Sequence, residues 1–132
     1  MRYLLDTNIC IYLINDSAEK VRKRFRRVAV GEIAISSVTL SELWFGVANS
    51  ARPEQNRAAL VQFTLMLDVL AYEAAAAEAY GTLRANLARR RKAVGSMDML
   101  IAAHAIAVNL TLVTNNLREF GRIPGLRIEN WA

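Results

Sequence analysis

The chain has 132 residues, of which 54% are hydrophobic and 22% are charged. That length supports one compact domain, expected to span residues 1–132, and the composition excludes a disordered chain. The single cysteine, Cys10, excludes an internal disulfide, and with only one histidine there is no zinc-binding spacing. No apolar run has the length of a membrane span, and no signal peptide precedes Asp6, so we expect a cytoplasmic protein with no membrane partner.

Positive charge is concentrated in two parts of the chain. The net charge is +5, and eleven of the seventeen Lys and Arg residues fall within 20–27 and 84–92. Two basic surfaces suit a polyanion such as a nucleic acid. Each cluster also has a structural explanation, because the first fills the solvated faces of a predicted helix and the second lies at a helix C-terminus, where cations stabilise the dipole.

Apolar segments alternate with amphipathic ones along the first half of the chain. Residues 2–6 read as a short buried strand, and helical spacing then runs to about Ile14. A second helix follows Ser17, and residues 32–36 read as the next buried strand. The pattern from Thr39 to Glu42 matches a capping box and predicts that a third helix begins there.

The second half continues the alternation. A helix is predicted from Pro53, and the later predictions are, in chain order, a strand at 68–70, a helix at 72–91, a helix at 96–109, a strand at 110–114, a helical turn at 117–120 and an edge strand at 126–128. Strands that alternate with helices pair in parallel. The sequence therefore predicts an α/β domain with helices on both faces of a parallel sheet of four or five strands.

Four acidic residues occur where the chemistry of such a sheet would be found. Asp98 opens an otherwise apolar helix, Asp6 ends the first strand, Glu42 opens the helix after the second strand, and Glu119 follows the strand that ends at Thr114. Ligands of open parallel sheets bind outside the carboxyl ends of the strands. Structural explanations stay open for each acid: a helix cap for Asp6, a first-turn acid for Asp98 with Ser96 as the cap, half of a capping box for Glu42, and a turn acid for Glu119.

If the four carboxylates converge, their mutual repulsion requires a cation. Oxygen ligands alone favour Mg²⁺ or Mn²⁺, and these ions take further ligands from substrate phosphates. A metal-bound water would then attack a phosphodiester, oriented by neighbouring hydroxyl and amide side chains, for which the candidates are Thr7, Asn8, Thr114, Asn115 and Asn116. His104 lies on an apolar helix stripe and is interpreted as a core residue rather than a base.

Four segments carry a resemblance to a known family: Leu4–Asn8, Ser36–Leu43, Val94–Ala105 and Val113–Phe120. In these segments the chain resembles the PIN-domain ribonucleases, and among them the VapC toxins of bacterial toxin–antitoxin pairs. The resemblance implies an α/β/α sandwich and an endoribonuclease that depends on Mg²⁺ or Mn²⁺. It also implies a set of catalytic acids, with Asp6 and Asp98 as metal ligands and Glu119 in the fourth position: Asp6, Glu42, Asp98 and Glu119.

The same resemblance implies a set of partners. These are a second copy of the chain, a VapB-type antitoxin through which the pair binds operator DNA, and an RNA substrate, expected to be initiator tRNA cut in its anticodon loop. Four basic residues that precede the Asp98 helix are candidates for guiding this RNA: Arg89, Arg90, Arg91 and Lys92. Two alternatives remain open from the residues alone, a non-catalytic RNA-binding module on the same fold and a phosphohydrolase of small molecules.

Overall fold

Five parallel strands form one central sheet in the computed structural model, which describes residues 1–132. The strands are β1 (Tyr3–Leu5), β2 (Ile33–Ser36), β3 (Asp68–Leu70), β4 (Thr111–Val113) and β5 (Ile128–Glu129). They lie in the order β3-β2-β1-β4-β5, and every neighbouring pair is parallel. The predicted α/β fold with a parallel sheet of four or five strands is confirmed, and the strand order reverses between β1 and β4, which places the switch-point crevice at their carboxyl ends.

Seven helices cover the two faces of the sheet. They are α1 (Thr7–Asn15), α2 (Glu19–Arg27), α3 (Ser37–Ala48), α4 (Pro53–Thr64), α5 (Ala74–Arg89), α6 (Ser96–Val108) and α7 (Leu117–Phe120). Helices α1 to α4 pack on one face, where Leu5 of β1 contributes to the core, and α5 to α7 pack on the other, where Leu4 does. Successive side chains of a strand point to opposite faces, so a short and fully buried strand serves both cores. No helix is both long enough and apolar enough to span a membrane.

The start of α3 differs from the prediction. Ser36 is the N-cap, and its hydroxyl accepts a 3.0 Å hydrogen bond from the amide of Val38. Because α3 follows β2 without a loop, Thr39 lies inside the helix, and its buried hydroxyl has no partner. The predicted capping box from Thr39 to Glu42 is therefore wrong. Ser96 is likewise not a cap, because Gly95 occupies the N-cap position of α6 and provides no side-chain bond.

Candidate active site

Asp6 occupies the junction between β1 and α1. Its carboxylate accepts a 2.9 Å hydrogen bond from the amide of Ile9, so it caps α1 as the sequence allowed. The side chain is also buried at the carboxyl end of the central strand. Burial raises the pKa of Asp6, and hydrogen bonds from Thr114 and Ile9 oppose that rise only in part. Asp6 thus caps α1 and also lies close enough to Glu42 for the charge of that residue to raise the pKa of Asp6 further.

Glu42 faces the same edge from the second turn of α3. Its Oε1 atom accepts a 2.6 Å hydrogen bond from the hydroxyl of Thr7. A carboxylate in a capping box would instead turn back to the start of its own helix. The structural explanation for Glu42 therefore fails, and its side chain joins α3 to the first residue of α1.

Asp98 and Glu119 share a hydrogen bond on the opposite side of the crevice. Burial, followed by the charge of Glu119 and a hydrogen bond with it, raises the pKa of Asp98 to about 7. Burial alone would raise the pKa of Glu119 as well, but hydrogen bonds from the amide of Gly95 (2.5 Å) and from Nδ2 of Asn116 (3.0 Å) outweigh it and lower that pKa. These contacts favour the protonated form of Asp98 and the ionised form of Glu119. The charges of Asp6 and Glu42 also raise the pKa of Asp98, so the four predicted acids lie at one edge of the sheet, close enough for Asp98 to be affected by the charge of each of the others.

The donor set fits a hard divalent cation. None of the ion pairs in the protein includes any of the four acids, and the charge of Arg122 lowers the pKa of Glu119. No three His, Cys, Asp or Glu side chains are arranged to hold one ion together. Mg²⁺ commonly takes only one or two carboxylates directly and completes its shell with water and phosphate oxygens. Asp6 and Asp98 are sufficient for that pattern.

The predicted polar residues divide into those that support the acids and those that do not. Thr114 is buried, and its side chain forms a hydrogen bond with Asp6. Its hydroxyl oxygen also accepts a 2.9 Å hydrogen bond from the backbone amide of Asn116. Asn116 caps α7 and holds Glu119, as described above. Asn115 instead donates to the hydroxyl of Tyr12 at 2.7 Å, which assigns it to packing against α1. Asn8 is exposed, and its backbone amide, rather than its side chain, bonds to Asp6.

Comparison with known proteins identifies the family. The sequence model of the PIN-domain family matches residues 3–126 of the chain. The "tRNA(fMet)-specific endonuclease VapC" of Shigella flexneri is 48% identical over 100% of this chain and 99% of its own length, and "Ribonuclease VapC2" of Rickettsia felis is 46% identical over 99% and 98%. The chain belongs to the VapC ribonucleases of the PIN-domain family.

A solved VapC structure also has the same fold. The chain superimposes on the crystal structure of DNA-bound VapBC from Salmonella typhimurium with a TM-score of 0.95, at 46% identity, over 100% of this chain and 99% of that one. The resemblance found in the sequence is confirmed, and with it the α/β/α sandwich.

In this VapC ribonuclease the basic segment after α5 leads directly to the acids. Arg89 ends α5 and Arg90 caps it, and Arg91 has a φ of 54°, so the chain turns sharply toward Gly95. All four predicted RNA-guiding side chains, Arg89 to Lys92, are exposed.

Beside them lies a groove of about 540 Å³ that reaches Glu119. It is lined by Ala93, Val94, Gly95, Asn116, Arg118, Glu119 and Arg122. Arg122 donates a 2.8 Å hydrogen bond to the carbonyl of Ala93 and so ties the wall of the groove to the basic segment. The sequence reading missed Arg118 and Arg122, although both lie within three residues of Glu119, as well as the amide of Gly95.

His104 takes no part in this edge. It is buried in α6, and Nδ1 lies 2.7 Å from the hydroxyl of Ser36, while the ring of Tyr72 packs edge-on against it at 5.6 Å. Burial lowers the pKa of His104, which keeps the ring neutral. Its interpretation as a core histidine is confirmed.

Proposed function

We propose that this VapC ribonuclease hydrolyses RNA phosphodiester bonds with the help of Mg²⁺ or Mn²⁺ held by Asp6 and Asp98. The observation that carries the proposal is the convergence of four carboxylates at the carboxyl ends of β1 and β4, with none of them in an ion pair. When bound, the cation supplies Lewis-acid activation of water and of the scissile phosphate.

The protein's own residues hold the remaining geometry. Thr7 fixes Oε1 of Glu42 and leaves its Oε2 free to orient a water molecule and accept a proton from it. Gly95 and Asn116 hold Glu119 in its ionised form, which places a negative charge beside Asp98. That charge attracts a metal cation as well as a proton, and the cation competes better as the pH rises because fewer protons are available.

We propose initiator tRNA, cut in the anticodon loop, as the substrate. The relatives from Shigella flexneri and Salmonella typhimurium, at 48% and 47% identity over the full chain, are both named tRNA(fMet)-specific endonucleases. The exposed cluster from Arg89 to Lys92 and the groove beside Glu119 would guide the RNA backbone toward the acids.

We also propose that one domain spanning residues 1–132 acts as a homodimer inhibited by a VapB-type antitoxin. The neighbours from Rickettsia felis and Salmonella typhimurium were solved as VapBC bound to DNA, which supports an operator contact made through the antitoxin. An apolar groove of about 250 Å³ between α1, α3 and α4 suits an antitoxin segment, and Glu42 lies among its lining residues. A segment in that groove would therefore reach the acids.

The test is cleavage of total bacterial tRNA by purified, antitoxin-free protein, with Mg²⁺ or with chelator. Cleavage that requires both the metal and Asp98, lost in Asp98→Asn and retained in the exposed control Asp68→Asn, supports the proposal. The fragments should end in 5′-phosphate and 3′-hydroxyl groups. No cleavage by folded, metal-loaded protein favours a non-catalytic RNA-binding module, and cyclic phosphate ends would identify the 2′-hydroxyl as the nucleophile instead of water.

A further inference from the structure

A second basic surface lies on α2, away from the acids. Lys20, Lys23, Arg24 and Arg27 recur at the i, i+3, i+4, i+7 spacing that places side chains on one face of a helix. Together with Glu129, Asn130 and Trp131 they line a groove of about 300 Å³. Four cations thus share this surface, the basic α2 groove, with one carboxylate.

One cation of the groove is fixed by packing against the C-terminal residues. The guanidinium of Arg24 donates to Oε1 of Glu129 at 3.0 Å and lies 5.5 Å from the centre of the Trp131 ring. The indole N–H of Trp131 donates to the same carboxylate oxygen at 2.9 Å, and its ring packs edge-on against Tyr3 at 5.1 Å. These contacts account for Arg24 and Glu129 as structural residues and form a rigid floor.

The other three cations have no comparable explanation. Lys23 contacts Glu19 at 3.3 Å, but both side chains are well exposed, so that pair contributes little. Lys20 and Arg27 take part in no ion pair and no side-chain hydrogen bond. Like charges at i, i+4 and i+3 spacing destabilise a helix slightly. Their concentration on one face is therefore a cost to folding that a polyanion would offset.

The floor of the groove is connected to the catalytic edge. The backbone carbonyl of Glu129 accepts the amide of Thr114 at 3.0 Å, and the side chain of Thr114 bonds to Asp6. Helix α2 belongs to the layer opposite α5, which carries the cluster from Arg89 to Lys92. The two basic clusters thus lie in different layers of the sandwich.

We propose that the basic α2 groove binds backbone phosphates of the RNA substrate at a distance from the bond that is cut. The inference rests on the proposed ribonuclease function and adds a second point of attachment to it. Lys20 and Arg27 are seven positions apart on the helix, about 10 Å along its axis, which is more than the rise between neighbouring phosphates of one strand. The groove contacts phosphates rather than bases, so it determines the affinity for RNA and the length of RNA needed for tight binding, but not the base sequence.

The decisive comparison uses two adjacent arginines of α2. Arg27 lines the groove, whereas the equally exposed Arg26 does not, so Arg27→Gln and Arg26→Gln remove the same charge from the same helix. Binding of total bacterial tRNA is measured in chelator, in an Asp98→Asn background, as a function of salt. The slope of log K against log salt is negative, and Arg27→Gln should reduce its magnitude by about 0.7 to 0.9. Adding Lys20→Gln should roughly double that reduction. Arg26→Gln should leave the slope unchanged.

Cleavage separates this inference from the proposed function. With Asp98 intact and Mg²⁺ present, Arg27→Gln should raise KM severalfold for whole tRNA, leave kcat unchanged, and have no effect on an oligonucleotide limited to the anticodon loop. Equal salt slopes for the two arginine variants would contradict RNA binding by the basic α2 groove. Cleavage by the parent protein would in that case still support the ribonuclease proposal. Weaker antitoxin binding with unchanged RNA binding would also overturn RNA binding by the groove and identify an acidic protein segment as the occupant. Absence of parent cleavage would count against the ribonuclease proposal itself.

Discussion

The hydroxyl of Thr7 donates a 2.6 Å hydrogen bond to Oε1 of Glu42 across 35 positions of the sequence. Thr7 is the first residue of α1 and follows Asp6 directly, while Glu42 belongs to α3. The bond therefore fixes the orientation of one acid relative to another. A carboxylate held in this way loses little conformational entropy when it binds water or substrate.

Removing the Thr7 hydroxyl should lower activity without unfolding the protein. Thr7→Val keeps the shape of the side chain but leaves Glu42 without its donor, and loss of a supporting hydrogen bond of this kind typically costs about 10- to 100-fold in activity. The check is single-turnover cleavage of tRNA with saturating Mg²⁺. Thr7→Ser restores the hydroxyl and should recover most of the rate. Equal rates for the Val and Ser variants would contradict a positioning role for this bond.

The contribution of Asp98 to the stability of the metal-free protein should fall as the pH rises. The pKa of Asp98 is raised from an ordinary value of 3.8 to about 7, so the folded state holds its proton more tightly than the unfolded state does. The stabilisation from this group is complete below about pH 3.8 and is lost as the pH rises through about 7. In chelator, this group should therefore contribute less to Tm at pH 8 than at pH 5, while the lowered pKa of His104 acts in the opposite direction.

Asp98→Asn provides the matched comparison, because an amide does not titrate. The Tm of the parent relative to that of the variant should fall between pH 5 and pH 8, because both proteins keep the contributions of Asp6, whose pKa is raised, and of His104, whose pKa is lowered. Mg²⁺ should raise the parent Tm more at pH 8 than at pH 5, since the cation then has no proton to displace. Parallel Tm curves for parent and variant in chelator would show that Asp98 does not titrate in this range.

The sheet could be read from the sequence because its strands are short, apolar and separated by helical patterns. β1 and β2 are buried on both faces, and a strand of that kind has few interpretations. The start of α3 could not be read in the same way. Ser36, Ser37 and Thr39 are all good capping residues, and the choice among them depends on how closely α3 follows β2.

The candidate site was only partly accessible to sequence reasoning. Asp6 and Glu119 follow β1 and β4, so parallel topology places both at the same edge of the sheet. The bond from Gly95 to Glu119 joins the N-cap of α6 to α7 across 24 positions, and its donor is a backbone amide, which cannot be recognised from residue type. Arg122 donates to the backbone carbonyl of Ala93 across 29 positions, and this acceptor likewise cannot be recognised from residue type. Contacts of this kind depend on the packing of loops, which no periodicity encodes.

The bond between Ser36 and His104 should matter for stability rather than for chemistry. Ser36→Ala removes the N-cap of α3 and also leaves Nδ1 of the buried imidazole without a partner, while Nε2 already has none. An unsatisfied buried polar group costs about 1 to 3 kcal/mol, and a lost cap about 1 kcal/mol more. Urea unfolding measures the sum. Ser41→Ala, whose exposed hydroxyl bonds only to a carbonyl of its own helix, should change stability by less than about 0.5 kcal/mol. A similar loss in the two variants would contradict this account.

A charge in the apolar groove between α1, α3 and α4 should separate toxin activity from inhibition. Ile11 lines the groove and is 39% exposed, so Ile11→Asp can be tolerated by the fold but places a carboxylate against any apolar segment that docks there. Its affinity for a VapB-type antitoxin should fall by at least about 30-fold, the effect expected at the centre of an interface. Inhibition titrations of tRNA cleavage measure this directly, because the variant should still cut RNA when antitoxin is added. Val30→Asp places the same charge at a side chain that is 97% exposed outside the groove, and it should be inhibited like the parent. If Ile11→Asp were inhibited equally well, the antitoxin would have to reach the acids by another surface, and the groove would lose its proposed occupant.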